Sequence, residues 1–323
     1  MSFNTLIPLI KKTGSKLSPI EFQHIVNVVF HDIEAQHYDA IHSEMWESLQ
    51  EQFDLLANDV LASDKELPKN LRLLDIGSGT GLSTELLLNT KLGKNIDHVS
   101  LLDTSSKMLA LAEKRIQNLN KEYTLYNSDV IDIVDKFDVI IVCSVLHHIP
   151  DLPQFLQHIN KIQNPGGILI HLQDPNGDFK DDAIFKSRVE SYNNRVPKTA
   201  QNNTYKKLKN FVKSIIGGKK SYIDQVNDVL LEKNAISKKM TSEEIWSVTD
   251  IYVEDLPFST GSGISLELLK GNLPDYTLLK ARSYGFFGSL KSKLIAEFQT
   301  LEEKAILNGE INGRNIAGAW IKN

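Results

Sequence analysis

Residues 71–88 read LRLLDIGSGTGLSTELLL, and the fold turns on how this stretch is parsed. Leu71, Leu73, Leu74 and Ile76 make a short, mostly apolar run of the kind buried on both faces of a parallel sheet. Gly77, Gly79 and Gly81 follow at once. Glycines at alternate positions let the chain turn sharply and bring its amides close to a ligand, where a Cβ would intrude. Thr80 and Ser83 lie where a helix begins, with Glu85 in its first turns and Leu82, Leu86 and Leu87 on an apolar face. Strand, glycine turn and helix start in this order favour an anionic group, because the helix end presents unbonded amides and the positive end of its dipole.

The spacing is G-x-G-x-G. The dinucleotide fingerprint G-x-G-x-x-G needs glycine at position 82, where this chain has Leu82, so a nicotinamide dehydrogenase is disfavoured. The stretch instead closely resembles the first motif of the class I methyltransferases that use S-adenosylmethionine (SAM), in which an acid stands two positions before the first glycine, as Asp75 does. The resemblance covers residues 71–175 well and 265–323 loosely. It implies a cofactor turn made of Asp75, Gly77, Ser78, Gly79 and Gly81, with the methionine carboxylate of SAM as the anion at the helix start.

The residues beyond the turn are consistent with that family. HVSLLD, residues 98–103, is a second strand ending in Asp103, about twenty residues on, where an acid accepts hydrogen bonds from both ribose hydroxyls; it is also placed to cap a helix before Ser106. Met108 belongs to that next helix and to the same cofactor set. Tyr123 to Tyr126 reads as a third strand, and the resemblance implies that Asp129 beyond it receives the adenine amino group while Val130 packs on the ring. Phe137 to Leu146 is a fourth strand that contains Ser144, a further expected cofactor contact, and it leads into SVLHHIPDL. That end carries no Asn or Asp followed by Pro-Pro-aromatic, the signature of amino-methylating enzymes of DNA and protein glutamine. It has no Pro-Cys pair either, and Cys143 in mid-strand reads as core. Pro165, Gly166 and Gly167 turn into a fifth strand, Ile168 to Leu172. Strands alternating with helices at this spacing give an α/β, doubly wound, mostly parallel sheet with its ligand at the carboxyl ends of the strands. Two later strands, Tyr276 to Phe287 and Ala317 to Lys322, complete a seven-stranded Rossmann-like sheet, an antiparallel pair in the resembled family.

SAM carries an activated methyl group, so the main task left to such an enzyme is to hold a nucleophile in line and, where the nucleophile bears a proton, to remove it. His147 and His148 sit at the end of the fourth strand as candidates for that base. Strand alternation points one of them inward, and His147 is preferred. Tyr38 and His42 from the N-terminal helices, and Gln173 and Asp174 after the fifth strand, are candidate acceptor contacts.

The flanking regions match no named pattern. Ser18, Pro19 and Glu21 open a helix, as a capping serine, a proline at the first helical position and an acid three residues after the cap. A second helix spans Ser43 to about Leu61. His31, Asp32, Glu34, His37, His42 and Glu44 are spread around these helices and read as a solvated polar face, so no metal is expected. Residues 176–260 show only helical stretches: Ile184 to Tyr192, Tyr205 to Ile216, Ile223 to Asn234, and one opening at Thr241 with Glu244 as a capping box. They form a helical lid inserted after the fifth strand. Within it Lys186, Arg188, Arg195, Lys198, Lys206, Lys207, Lys209, Lys213, Lys219 and Lys220 face one acid, Glu190. That window carries +9 while the whole chain carries -5, so the remainder carries -14. Such asymmetry suits an anionic or carrier-bound acceptor, or RNA.

At 323 residues, 41% hydrophobic and 24% charged, the composition is that of an ordinary globular protein. A single cysteine excludes an internal disulfide and a cysteine-built zinc site. No apolar run approaches the ~18 residues of a membrane span, and MSFNTLIPLIKK places its charges after its apolar part, unlike a secretory signal. A cytoplasmic location without membrane contact is expected. The expected division is an N-terminal helical substrate cap (1–66), the SAM-binding core (67–175), the basic lid (176–260) and the completion of the sheet (261–323). The activity expected from the resemblance is methyl transfer to oxygen, nitrogen or carbon of a small molecule in specialised metabolism. The rivals are an RNA or protein methyltransferase docking through the basic stretch, and a non-catalytic SAM-binding regulator.

Overall fold

The computed structural model describes residues 3–41, 45–63, 67–179, 181–196, 221–253, 256–259, 261 and 263–323. Seven strands form one sheet: β1 (Leu71–Ile76), β2 (Ile96–Leu102), β3 (Glu122–Tyr126), β4 (Phe137–Cys143), β5 (Gln163–Pro175), β6 (Tyr276–Tyr284) and β7 (Asn315–Lys322). Their order is β3-β2-β1-β4-β5-β7-β6. The first five run parallel, and β7 lies antiparallel between β5 and β6. Order reverses beside β1, so the carboxyl ends of β1 and β4 open a crevice, which is where open α/β sheets bind ligands.

The helices are α1 (Ile7–Thr13), α2 (Pro19–Glu34), α3 (Tyr38–Ile41), α4 (Met45–Leu61), α5 (Leu82–Leu88), α6 (Ser106–Gln117), α7 (Leu152–Ile162), α8 (Ala183–Arg195), α9 (Tyr222–Glu232), α10 (Ser242–Thr249), α11 (Leu266–Asn272) and α12 (Ala296–Leu307). Both capping boxes form, Ser18 with Glu21 on α2 and Thr241 with Glu244 on α10. Thr80 and Ser83 are not caps: Gly81 takes that place on α5, and the Ser83 hydroxyl turns back to Asp75. None of the helices among the described residues is long and apolar enough to cross a membrane.

Consecutive residues of β1 serve opposite cores. Leu73 packs in one cluster with Val99, Ile141 and Ile170, and Leu74 in the other with Ile140, Leu169 and Trp320, which is why four of the strand's six residues are leucine or isoleucine. Helices from before β1 and after β5 pack together. The apolar face of α2 (Phe22, Val26) meets Val226 and Leu230 of α9 and Ile245 and Val248 of α10 in a third cluster. By contrast, α4 (Phe53, Leu56) joins the sheet, and α8 does so through Tyr192, edge-on to Phe298 at 5.0 Å. An amphipathic helix needs an apolar partner, and the segment after β5 supplies one to α2.

Most of the basic stretch, from Lys198 to Lys220, and the expected helix Tyr205 to Ile216 lie outside the described residues, as does His42. The three basic residues described are each partnered by an acid: Lys186 with Asp181 at 2.7 Å, Arg188 with Glu310, and Arg195 with Glu297 at 3.9 Å.

Candidate active site

The turn after β1 is held from beneath. Asp75 is fully buried and accepts hydrogen bonds from the Ser83 and Thr84 hydroxyls, each at 2.6 Å. Burial raises its pKa to about 7, with the two hydroxyls opposing the rise. Asp75 therefore ties strand to helix behind the turn, and neither it nor Ser78 nor Gly81 lines the cavity in front. Gly77 and Gly79 do. Both have left-handed backbones, and a Cβ on Gly77 would lie 2.5 Å from Val145 Cγ2, whereas one on Gly79 would have nothing within 4 Å. The turn is thus packed against the β4 loop at one glycine and open to the cavity at the next.

The cavity, about 410 Å³, runs from these glycines past Asp103 and Met108 to Asp129 and Val130 on one side, and to Ser144, His148 and Tyr38 on the other. Asp103 Oδ2 accepts from the Gly79 amide at 2.9 Å and Oδ1 from the Ser105 amide at 2.8 Å. Burial raises its pKa against these bonds. Ser105, not Asp103, caps α6. Asp129 caps the short turn that follows β3, its Oδ1 3.2 Å from the Ile131 amide.

The N-terminal helices are fastened over this end. Asp32 on α2 accepts from the Ser105 hydroxyl at 2.6 Å, and Asp39 on α3 from that of Thr80 at 2.6 Å. Arg115 of α6 donates its Nε–H to the Thr80 carbonyl at 2.8 Å, ion-pairs with Asp39 and Glu85, and lies 5.4 Å from the ring of Trp46. Tyr38 is carried into the cavity by the same segment, and burial raises its pKa well above the ordinary value.

At the other end the chain leaves the strand sooner than expected. β4 stops at Cys143, Ser144 adopts φ 60°, and Leu146–His148 form a 3₁₀ turn, so strand alternation does not govern the two histidines. His147 is buried between two acids, Nδ1 2.7 Å from Asp174 and Nε2 3.4 Å from Asp250. Burial alone would lower its pKa, but these carboxylates more than offset that and raise it to about 9. An imidazolium with both nitrogens engaged is not a base, and His147 does not line the cavity. His148 does. Its Nδ1 lies 2.7 Å from the Thr249 carbonyl, which accepts the ring hydrogen and leaves Nε2 without one. Burial and the adjacent His147 charge push its pKa down. The preference for His147 is therefore reversed by its partners.

Gln173 and Asp174, expected as acceptor contacts, lie off the cavity. Gln173 Oε1 accepts from the Tyr284 hydroxyl at 2.6 Å, and Asp174 is fully buried against His147. Cys143, expected in the core, packs against it and also lines the cavity, and burial raises its thiol pKa. His147, His148 and Asp250 bring one nitrogen or oxygen each within 4.8 Å of one another, close enough to share a metal ion, while Nδ1 of each ring already holds a hydrogen bond, to Asp174 and to Thr249. Asp250, Thr249 and Gln23, whose amide donates to the His148 carbonyl at 3.0 Å, carry no local signal in the sequence. His31 had one, its helical spacing: it lines the cavity, with its ring edge-on to His148 at 5.4 Å. Burial opposes protonation of His31, but Glu34 outweighs it, with Asp103 and Asp250 contributing, and its pKa is raised.

A family model described as a methyltransferase domain matches residues 67–226. Among characterised proteins, the chain is 30% identical over 112 residues to a ubiquinone biosynthesis O-methyltransferase of Pelagibacter ubique, covering 34% of this chain and 44% of that one. It is 31% identical over 123 residues to the non-reducing polyketide synthase adrD of Penicillium rubens, covering 36% of this chain and 5% of that one. The chain thus spans less than half the length of these relatives. Among solved structures, the plantazolicin methyltransferase BpumL in complex with SAH is 15% identical, with a TM-score of 0.46 over 94% of this chain and 97% of that one.

Proposed function

Starting from residues 67–226 as a methyltransferase domain of the class I SAM-dependent family, we propose that this chain transfers a methyl group from SAM to a small molecule whose acceptor atom sheds a proton. The observation that carries the reading is the continuity of one cavity from Gly77, Gly79 and Asp103 to His148.

The residues present fit the cofactor. The cavity side of Gly79 is open, and each Asp103 oxygen accepts one amide hydrogen, keeping a second lone pair for a ribose hydroxyl. The glycine turn, which lines the cavity at Gly77 and Gly79, would seat the methionine end of SAM, and Asp129 would receive the adenine amino group. When bound, SAM would supply an electrophilic methyl group on a positively charged sulfur, a leaving group that departs as a neutral thioether and needs no proton from the protein. His148 Nε2 takes the acceptor's proton, and α2 and α3 shut water out above.

Isothermal titration with SAM and with S-adenosylhomocysteine (SAH), together with SAH formation over a panel of phenols, hydroxy acids and amines, tests this. Binding is expected in the wild type and about 10- to 100-fold weaker in Asp103→Ala. No binding by the wild type, or none lost in the variant, overturns the reading.

A further inference from the structure

The charged cluster at the acceptor end contains a residue that comes from neither the β4 turn nor β5. Asp250 follows the last residue of α10 and reaches over the turn, with Oδ1 3.4 Å from His147 Nε2 and 3.8 Å from His148 Nδ1. It is itself oriented: its amide donates to the Trp246 carbonyl at 2.8 Å, and its Oδ2 accepts from the Thr249 hydroxyl at 3.1 Å. The residue before it supplies the carbonyl that fixes the His148 ring.

We infer that Asp250 is a positioning residue for methyl transfer. It clamps the His147 imidazole against Asp174 and so holds the turn that presents His148 Nε2 to the acceptor. The inference rests on reading His148 as the base.

Three features of the geometry carry it. The two rings are 4.0 Å apart, centroid to centroid, so His148 cannot keep its place if His147 swings. Asp174 holds His147 from the sheet side, through its amide at 3.1 Å and its ring Nδ1 at 2.7 Å; the second tether, Asp250, holds the opposite ring nitrogen. The second tether also comes from the junction of two layers: Ile245 and Val248 of α10 pack with α2 and α9, and Ile251 and Tyr252, just past Asp250, pack with the sheet. The charged groups that face His148 are His147 on its own turn, Asp250 from the end of α10, and His31 from α2 with Glu34 beside it. A lone carboxylate between two rings, one a cation and the other neutral, has its charge balanced by the first while the second stays a base.

The test is Asp250→Ala beside Asp250→Asn, which keeps an oxygen at this position. Imidazole ¹⁵N spectra of the SAM-free protein, needing no acceptor, read His147 directly. The wild type is expected to hold hydrogen on both His147 nitrogens at pH 8, and Asp250→Ala to lose one, with His148 still bearing its hydrogen on Nδ1. With the acceptor that turns over fastest in the panel, kcat is expected to fall about tenfold in Asp250→Ala, with KM and SAH affinity within twofold and Asp250→Asn in between. Unchanged His147 signals, an unchanged kcat, or a loss confined to SAH affinity would each overturn the inference. If Asp250→Ala fails to fold, Asp250→Asn carries the same comparison. Failure of the methyltransferase reading would show separately, as a wild type that does not bind SAH.

Discussion

The two ends of the cavity are built on different plans. At the cofactor end the partners are near neighbours in the chain: Gly79 donates to Asp103, 24 residues on, and Ser105 donates two residues back to the same side chain. Backbone amides do most of the work there. At the acceptor end, His148 is fixed by Thr249, 101 residues away, and by Gln23, 125 residues away, while His147 is gripped by Asp174 and Asp250. Side chains from separate layers do it. The first plan recurs wherever a strand, a glycine turn and a helix meet; the second is assembled only when the helical layer docks on the sheet.

The sharpest way to break this contrast is His148→Ala. Removing a general base is expected to lower the single-turnover rate of SAH formation about 10²- to 10⁴-fold while leaving SAH affinity unchanged. An affinity loss instead would mean that the two ends are one site. Next comes His171 of β5, buried under the sheet with no hydrogen-bond partner for either ring nitrogen among the described residues, its pKa lowered by burial from 6.5 to about 4. Its folded pKa lies below the unfolded one, so its stabilising contribution is complete above pH 6.5 and lost as the pH falls toward 4. That contribution is worth about 3 kcal/mol, and His171→Leu is expected to flatten the acid side of the stability curve by this amount in urea titrations. Such a result would place acid sensitivity in the sheet rather than in the helical layer.

Gly77→Ala probes the cofactor end by shape alone. With φ at 64° and a Cβ 2.5 Å from Val145 Cγ2, it is expected to weaken SAH binding about tenfold, and Val145→Ala in the same chain to recover part of the loss by relieving the contact but not the strained φ. The smallest effect is expected at Arg115, which joins the layers across α3, α5 and α6. Arg115→Ala removes partly exposed ion pairs worth under about 1 kcal/mol each, so SAH release followed by stopped-flow tryptophan fluorescence should quicken about threefold. No change would mean that α3 opens independently of this fastening.

The same contrast explains what could be read in advance. All seven strands and the two capping boxes follow from periodicity and spacing within single segments, and the cavity-lining Asp103, Asp129 and Ser144 from the family resemblance of one continuous stretch. Asp75 was legible as part of the turn, but its place beneath it depends on the hydroxyls of Ser83, read from the sequence only as a helix-start residue, and of Thr84, which carried no reading there. His147 and His148 were legible as a pair, yet which one is a base is decided by carboxylates at positions 174 and 250, far along the chain. The packing of α2 against α9 and α10 was hidden for the same reason: each helix declares an apolar face, and none declares its partner.

That third cluster has a consequence for synthesis. α1 and α2 are made before α9 and α10, but Leu9, Phe22 and Val26 are covered by Val226, Leu230, Ile245 and Val248. At ~5–20 residues per second the ribosome needs on the order of ten to forty seconds to reach that far. For that interval only β1–β5 can pair, beneath an apolar helix pair whose partners are not yet made, so a nascent chain stalled before residue 222 is expected to bind chaperones.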